Sequence, residues 1–178
     1  MVNEPKGLWL PREVLIAEEI ASSEEPQMGM IFEKSPWFDG KLSFTRVRYR
    51  NDRGEVIRIV GSWAPASLLP LSALADCDDE RVLGLILKRH GNRAAAAYSD
   101  EAVDVIQATD ADDILFEFED GNSFLIHSCA LYCNALDESL LCQTVLMTTN
   151  HRLFLRRAVG WDMDQPHGSG PKADGGKK

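Results

Sequence analysis

Arg46, Arg48 and Arg50 recur at every second position of Lys41 to Arg50 (KLSFTRVRYR), and Arg58 lies between Val56 and Val60 in Glu55 to Trp63 (EVIRIVGSW). On a β-strand this spacing sets the first three guanidinium groups on one face. There they can fork onto carboxylate or phosphate oxygens. If that face lines a cavity, the arginines would hold the acidic arms of a ligand whose apolar body packs on Phe44, Tyr49, Trp63 and Tyr132. If it meets solvent, they form a basic patch that complements the acidic half of another copy. A second basic group, His151, Arg152, Arg156 and Arg157, follows later, with Arg152 and Arg156 at the parity of Phe154. The candidate ligand-binding set is therefore Arg46, Arg48, Tyr49, Arg58, Trp63, Tyr132, Arg152 and Arg156.

Other reactive side chains are better read as structural. Cys129 and Cys133 are four apart on a segment that reads as a strand, so about 13 Å separates them along one face. A single zinc ion needs converging ligands and cannot bridge that gap. Buried thiols are expected, with no metal and no cofactor. Glu117 and Glu119 alternate with Phe116 and Phe118, which places the acids toward solvent rather than in an acid–base pair. Gly-rich phosphate loops, nucleophile elbows and His-Glu zinc signatures do not occur.

The elements that must carry these residues are mostly strands. Lys41 to Arg50 and Glu55 to Trp63 flank the turn Asn51-Asp52-Arg53-Gly54 and read as a hairpin. Ala102 to Thr109, Asp113 to Glu119 and Asn122 to Cys133 read as successive strands, the last two joined at Asp120-Gly121. Ser139 to Thr148 and Arg152 to Val159 form a further pair. Val82 to His90 (VLGLILKRH) admits either a buried strand or a helix that starts at Asp78 or Asp79. Pro11 to Ala21 (PREVLIAEEIA) suits a short amphipathic helix, although Val14-Leu15-Ile16 is also β-prone. About nine strands at near ten-residue spacing predict an all-β domain with minor α content, an antiparallel meander closed as a barrel with a short N-terminal helix. The domain is expected to occupy residues 1–164. Gln165 to Lys178 (QPHGSGPKADGGKK) is expected to be a disordered tail.

Charge limits the partners. The chain has 178 residues with a net charge of −9, and its pI is near 4.9, which argues against a nucleic-acid backbone as ligand. From Ala94 to His151 there is no Lys or Arg, while eleven acids from Asp100 to Glu138 fall there. Such segregation suits a basic partner protein or self-association. The chain shows neither a secretory signal nor an apolar run of membrane-spanning length, so a cytoplasmic, thiol-reducing location is expected, with no membrane partner.

Glu117 to Arg157 resembles the closing strands of lipocalin-like chromophore lyases of phycobiliproteins. The matching features are Gly121, the strand Leu141 to Thr148, and Asn150 followed by Arg152 and Arg156. Asp78 to Gly91 (DDERVLGLILKRHG) is also similar to the acidic-start helix of some of these lyases. The resemblance implies a β-barrel that grips an open-chain tetrapyrrole or another elongated apolar acid, with arginines on its carboxylates; it transfers no catalytic residue. The first functional expectation is thus a barrel binding a hydrophobic carboxylated small molecule, as carrier, chaperone or lyase. Alternatives are a noncatalytic interaction module that docks a basic protein, and a small barrel cyclase or isomerase.

Overall fold

The computed structural model describes residues 11–78, 81–119 and 123–149. Six antiparallel strands build one open sheet: β1 (Arg12–Ala21), β2 (Lys41–Arg50), β3 (Val56–Pro65), β4 (Tyr98–Gln107), β5 (Phe124–Cys133) and β6 (Ser139–Thr148). Their spatial order is β1-β2-β3-β6-β5-β4. Four helices accompany them: α1 (Pro26–Phe32), α2 (Leu71–Asp76), α3 (Val82–His90) and α4 (Asp110–Phe116).

The β2–β3 hairpin forms as the sequence predicts. Asn51 accepts hydrogen bonds on its side-chain oxygen from the backbone N–H groups of Arg53 (2.9 Å) and Glu55 (3.0 Å), and Gly54 takes φ +81° to close the turn. Asn134 organises the β5–β6 turn in the same way, accepting from Leu136 and Glu138 N–H at 3.0 Å each. β6 lies where alternation placed it.

The closed nine-stranded barrel does not form. Two segments read as strand or left open fold as helices: Val82–His90 is α3, and most of Asp113 to Glu119 belongs to α4. Short apolar runs fit either period, and local capping decides α4. Thr109 accepts the Asp112 N–H (3.3 Å) while Asp112 accepts the Thr109 N–H (2.9 Å), a reciprocal cap with Asp110, Asp112 and Asp113 in the positive first turn. The helix ends at Glu117, which adopts the left-handed conformation (φ 60°). The expected N-terminal helix is instead β1. It pairs along β2 from Arg12↔Tyr49 to Ala21↔Lys41, with a bulge that leaves Leu15 without a partner in the register. Sheet hydrogen bonding along a whole neighbouring strand outweighs the weak helical pattern. β1 and β4 are the edges, so the sheet stays open. The anticipated strand Arg152 to Val159, the turn at Asp120-Gly121 and the tail from Gln165 lie outside the described residues.

Helices cover both faces. On one face, α2 and α3 enclose Leu68, Leu69, Leu74, Val82, Ile86 and Leu141, all at most 2% exposed. Arg12 ties β1 to the C-terminal end of α2. Its guanidinium donates to the carbonyls of Ala75 and Cys77, placing a cation where the helix presents unpaired oxygens. On the other face, α1 packs Phe32 onto Leu42 and Cys142, and α4 packs Phe116 onto Ile59 and Leu125. These two helices sit over different rows of the sheet, α1 over Trp63 and Cys142 and α4 over Ile59 and Leu125. Among the described residues no helix is long and apolar enough to cross a membrane.

Candidate functional site

Between the rows under α1 and those under α4, one row runs across the strands. Arg46 on β2 is opposite Gly61 on β3, Gly61 is opposite Thr144 on β6, and Thr144 is opposite Cys129 on β5. Over this row lies a cleft of about 200 Å³, lined by Arg46, Gly61 and Thr144 with Ile59 and Leu146. α4 supplies its wall through Ala111, Asp112 and Leu115. Phe44 and Trp63, also opposed across β2 and β3, stack beside it with ring centroids 3.9 Å apart, and the Arg46 guanidinium sits 5.8 Å from the Phe44 centroid.

Gly61 makes the floor possible. A Cβ there would lie 2.7 Å from Thr144 Oγ1 and 3.5 Å from Phe44 Cε2. Thr is stiff at χ1, so the hydroxyl cannot swing away freely. We expect Gly61→Ala to lower stability by about 1–3 kcal/mol. Adding Thr144→Ala should restore most of that loss in urea unfolding; an unchanged double variant would show that the crowding is not the cause.

Arg46 makes no ion pair among the described residues, unlike its neighbours. Arg48 donates to Glu13 (2.5 Å) and to the Leu115 carbonyl (3.3 Å), and lies 3.4 Å from Glu117. Arg50 forks onto both oxygens of Glu117 at 2.9 and 2.7 Å. Part of the acidic stretch and the arginine-rich hairpin therefore neutralise each other inside the chain. This ladder clamps the end of α4 to β1 and β2, and so fixes the wall of the cleft.

The hydrogen bond from Arg48 holds the Glu13 carboxyl below the usual glutamate range, and the fork from Arg50 does the same for Glu117. A carboxyl whose pKa is lowered by folding contributes stability that is fully present above the ordinary glutamate value. That contribution is lost as pH falls through the lower folded-state value. Melting temperatures measured from pH 7 to pH 3 should show this acid-side loss, and Glu13→Gln with Glu117→Gln should flatten it. A double variant with the wild-type pH profile would contradict the assignment.

On the same face as the cleft, the thiols of Cys129 and Cys142 approach to 3.9 Å in the cluster under α1. Burial, with Cys129 beside it, pushes the Cys142 thiol up to about 12, so it stays protonated and unreactive at neutral pH.

The open antiparallel sheet with helices on both faces finds its likeness among solved structures. In fold, the chain is similar to ligand-binding domains of GntR-family transcriptional regulators. One such domain, from a Bordetella bronchiseptica protein, superposes with a TM-score of 0.63 at 16% identity, covering 84% of this chain and 89% of its own. The C-terminal domain of the histidine utilization repressor from Pseudomonas syringae gives 0.60 at 14%, covering 82% and 96%. A GntR-family regulator from Bacillus cereus gives 0.65 at 11%, covering 83% and 97%. No family model matches the sequence, and no curated protein is significantly similar to it.

These likenesses overturn the resemblance to lipocalin-like phycobiliprotein lyases. The segment Glu117 to Arg157 that suggested it contains a helix terminus and the adjacent pair β5–β6 in the middle of an open sheet, not the closing strands of a barrel. Nothing of a chromophore lyase remains in the fold.

The sequence-derived site residues divide between the two faces. Arg46, Arg48 and Trp63 share the face of the cleft, but Arg48 is engaged by Glu13 and Glu117. Tyr49 and Arg58 lie on the opposite face, where the Arg58 guanidinium covers the Tyr49 ring at 4.3 Å and is 7% exposed. Tyr132 packs there too, against the cluster under α2 and α3. Arg152 and Arg156 lie outside the described residues. Sequence reasoning missed Gly61, Thr144 and the α4 wall. The Thr109–Asp112 capping pattern was the signal that could have revealed that wall.

Proposed function

We propose that this domain binds a small anionic organic molecule in the cleft between the sheet and α4, as the effector-sensing part of a regulatory protein. The observation that carries the reading is Arg46, a cation without an ion-pair partner among the described residues, set into a cleft of about 200 Å³. Its surroundings supply what ligand pockets supply: apolar walls from Ile59, Leu115 and Leu146, and a hydroxyl from Thr144. The stacked Phe44–Trp63 pair offers an aromatic flank at one end. The volume is below the roughly 300–1,000 Å³ of drug-sized pockets, which favours a small metabolite. The likeness to regulator ligand-binding domains supports the same reading.

The test is a thermal-shift screen of organic acids, amino acids and sugar phosphates, followed by calorimetry. A binder should raise the melting temperature by mass action and alter Trp63 emission. Absence of any binder across those classes at millimolar concentration would sink the reading.

A second reading, docking of a basic protein, draws on the edge strand β4. It presents Val103 (62% exposed) and Val105 (67%) among Asp100, Glu101 and Asp104, and among the described residues no strand pairs along its outer side. It predicts association that weakens steeply with salt. Binding to cationic peptides that is insensitive to salt would count against it.

A further inference from the structure

We infer that the ligand of this cleft is dipolar, an acid that also carries a cationic amine, and that Asp112 receives the amine. The inference rests on the proposed function and adds the chemical class of the ligand. Arg46 and Asp112 both line the cleft, one from the sheet and one from α4, yet they do not pair with each other. Asp112 is held in place by its capping role: its Oδ2 accepts from the Thr109 N–H at 2.9 Å and from the Thr109 hydroxyl at 2.7 Å. Its Oδ1 accepts no hydrogen bond among the described residues, and Asp112 is one of the residues that line the cleft.

The electrostatics then discriminate between ligands. A simple anion that reaches Arg46 brings its charge into the field of Asp112 and is opposed by it. An amine at the other end of the ligand turns that opposition into attraction and gives the carboxylate a charged partner. A ligand that is only cationic meets Asp112 but is opposed by Arg46. The pair of walls therefore selects both the charge pattern and the orientation of the ligand, acid toward β2 and amine toward α4. Leu115, Ile59 and Leu146 between them suit a short apolar spacer.

Matched probes test this by calorimetric titration of the whole chain: 5-aminovalerate against valerate, 4-(aminomethyl)benzoate against 4-methylbenzoate, and L-phenylalanine against 3-phenylpropionate. In at least one pair the amine-bearing member should bind about ten-fold tighter or more, as a hydrogen bond between charged groups predicts. Asp112→Asn keeps an oxygen for the Thr109 cap and should erase that preference while raising the affinity for the plain acid. The comparison within the wild-type chain needs no variant, so a poorly folding Asp112→Asn would not remove the test. Equal or tighter binding of the plain acids, dependent on Arg46, would overturn the dipolar ligand and leave the anion site standing. A preference that survives Asp112→Asn would overturn the role of Asp112. Binding of neither member in any pair at millimolar concentration would overturn the dipolar class, whereas the broader screen decides the anion site.

Discussion

Arg46→Ala should weaken binding of an anionic ligand by about thirty-fold or more, with the domain still folded. Removing one partner of a desolvated charge pair typically costs about 2–5 kcal/mol of binding, and every 1.4 kcal/mol is about ten-fold in affinity. Arg46 is half-buried and makes no ion pair among the described residues, so truncating it breaks no salt bridge of the fold. Its removal should even relieve the cost of holding a cation partly out of water. Arg48→Ala offers the contrast. It dissolves contacts to Glu13, Glu117 and the Leu115 carbonyl, and so should lower stability and reach the ligand only through the displaced wall of α4. Calorimetry paired with urea melts separates the two. Equal affinity of Arg46→Ala and wild type for the same ligand would remove the arginine from the site.

Phe32→Ala should destabilise the domain by about 3–5 kcal/mol, the range for deleting a fully buried aromatic ring. Phe32 is 0% exposed and joins the last turn of α1 to Leu42 and Cys142. α1 has only seven residues and no side-chain cap at its start, so it has little intrinsic stability and depends on this contact. For a domain of this size each kcal/mol is worth about 2–4 °C in melting temperature. Met30, on the same helix and 73% exposed, supplies the control: Met30→Ala should stay within about 0.5 kcal/mol of wild type. Because Trp63 packs against the cluster that contains Phe32, Phe32→Ala should also loosen the Phe44–Trp63 stack and shift Trp63 emission. A Phe32→Ala variant as stable as Met30→Ala would mean that α1 is not anchored as described.

The legible and illegible parts of this chain differ in the range of the interactions that decide them. The β2–β3 hairpin and strand β6 were readable because alternation and the Asn51–Gly54 turn act over a few residues. α4 was misread as a strand although its reciprocal Thr109–Asp112 cap was present, because the alternation of Phe116 and Phe118 with acids mimics a pleat. β1 is open between helix and strand in the sequence for the opposite reason: nothing local favours either strongly, and pairing along β2 settles it. Of the site, Arg46 and Trp63 were named from strand parity, but parity cannot say what else occupies a face. Arg48 meets Glu117, sixty-nine positions away, and Gly61 meets Thr144, eighty-three positions away; no spacing in the sequence announces either contact.

By itself, then, the sequence determined a mostly antiparallel β domain, placed three arginines on one face of β2, and segregated the acids into the stretch after Ala94. Those properties follow from side-chain alternation and composition, which any neighbouring strand would respect. Tertiary structure alone decided that the sheet stays open, that Arg58 and Tyr49 are buried together on the far face, and that Arg46 is the arginine of the row left without an ion pair among the described residues. The physical reason is that a charge becomes structural or available according to which partner reaches it. The partners Glu13 and Glu117 are brought to Arg48 and Arg50 only by the packing of β1 and α4 around the sheet.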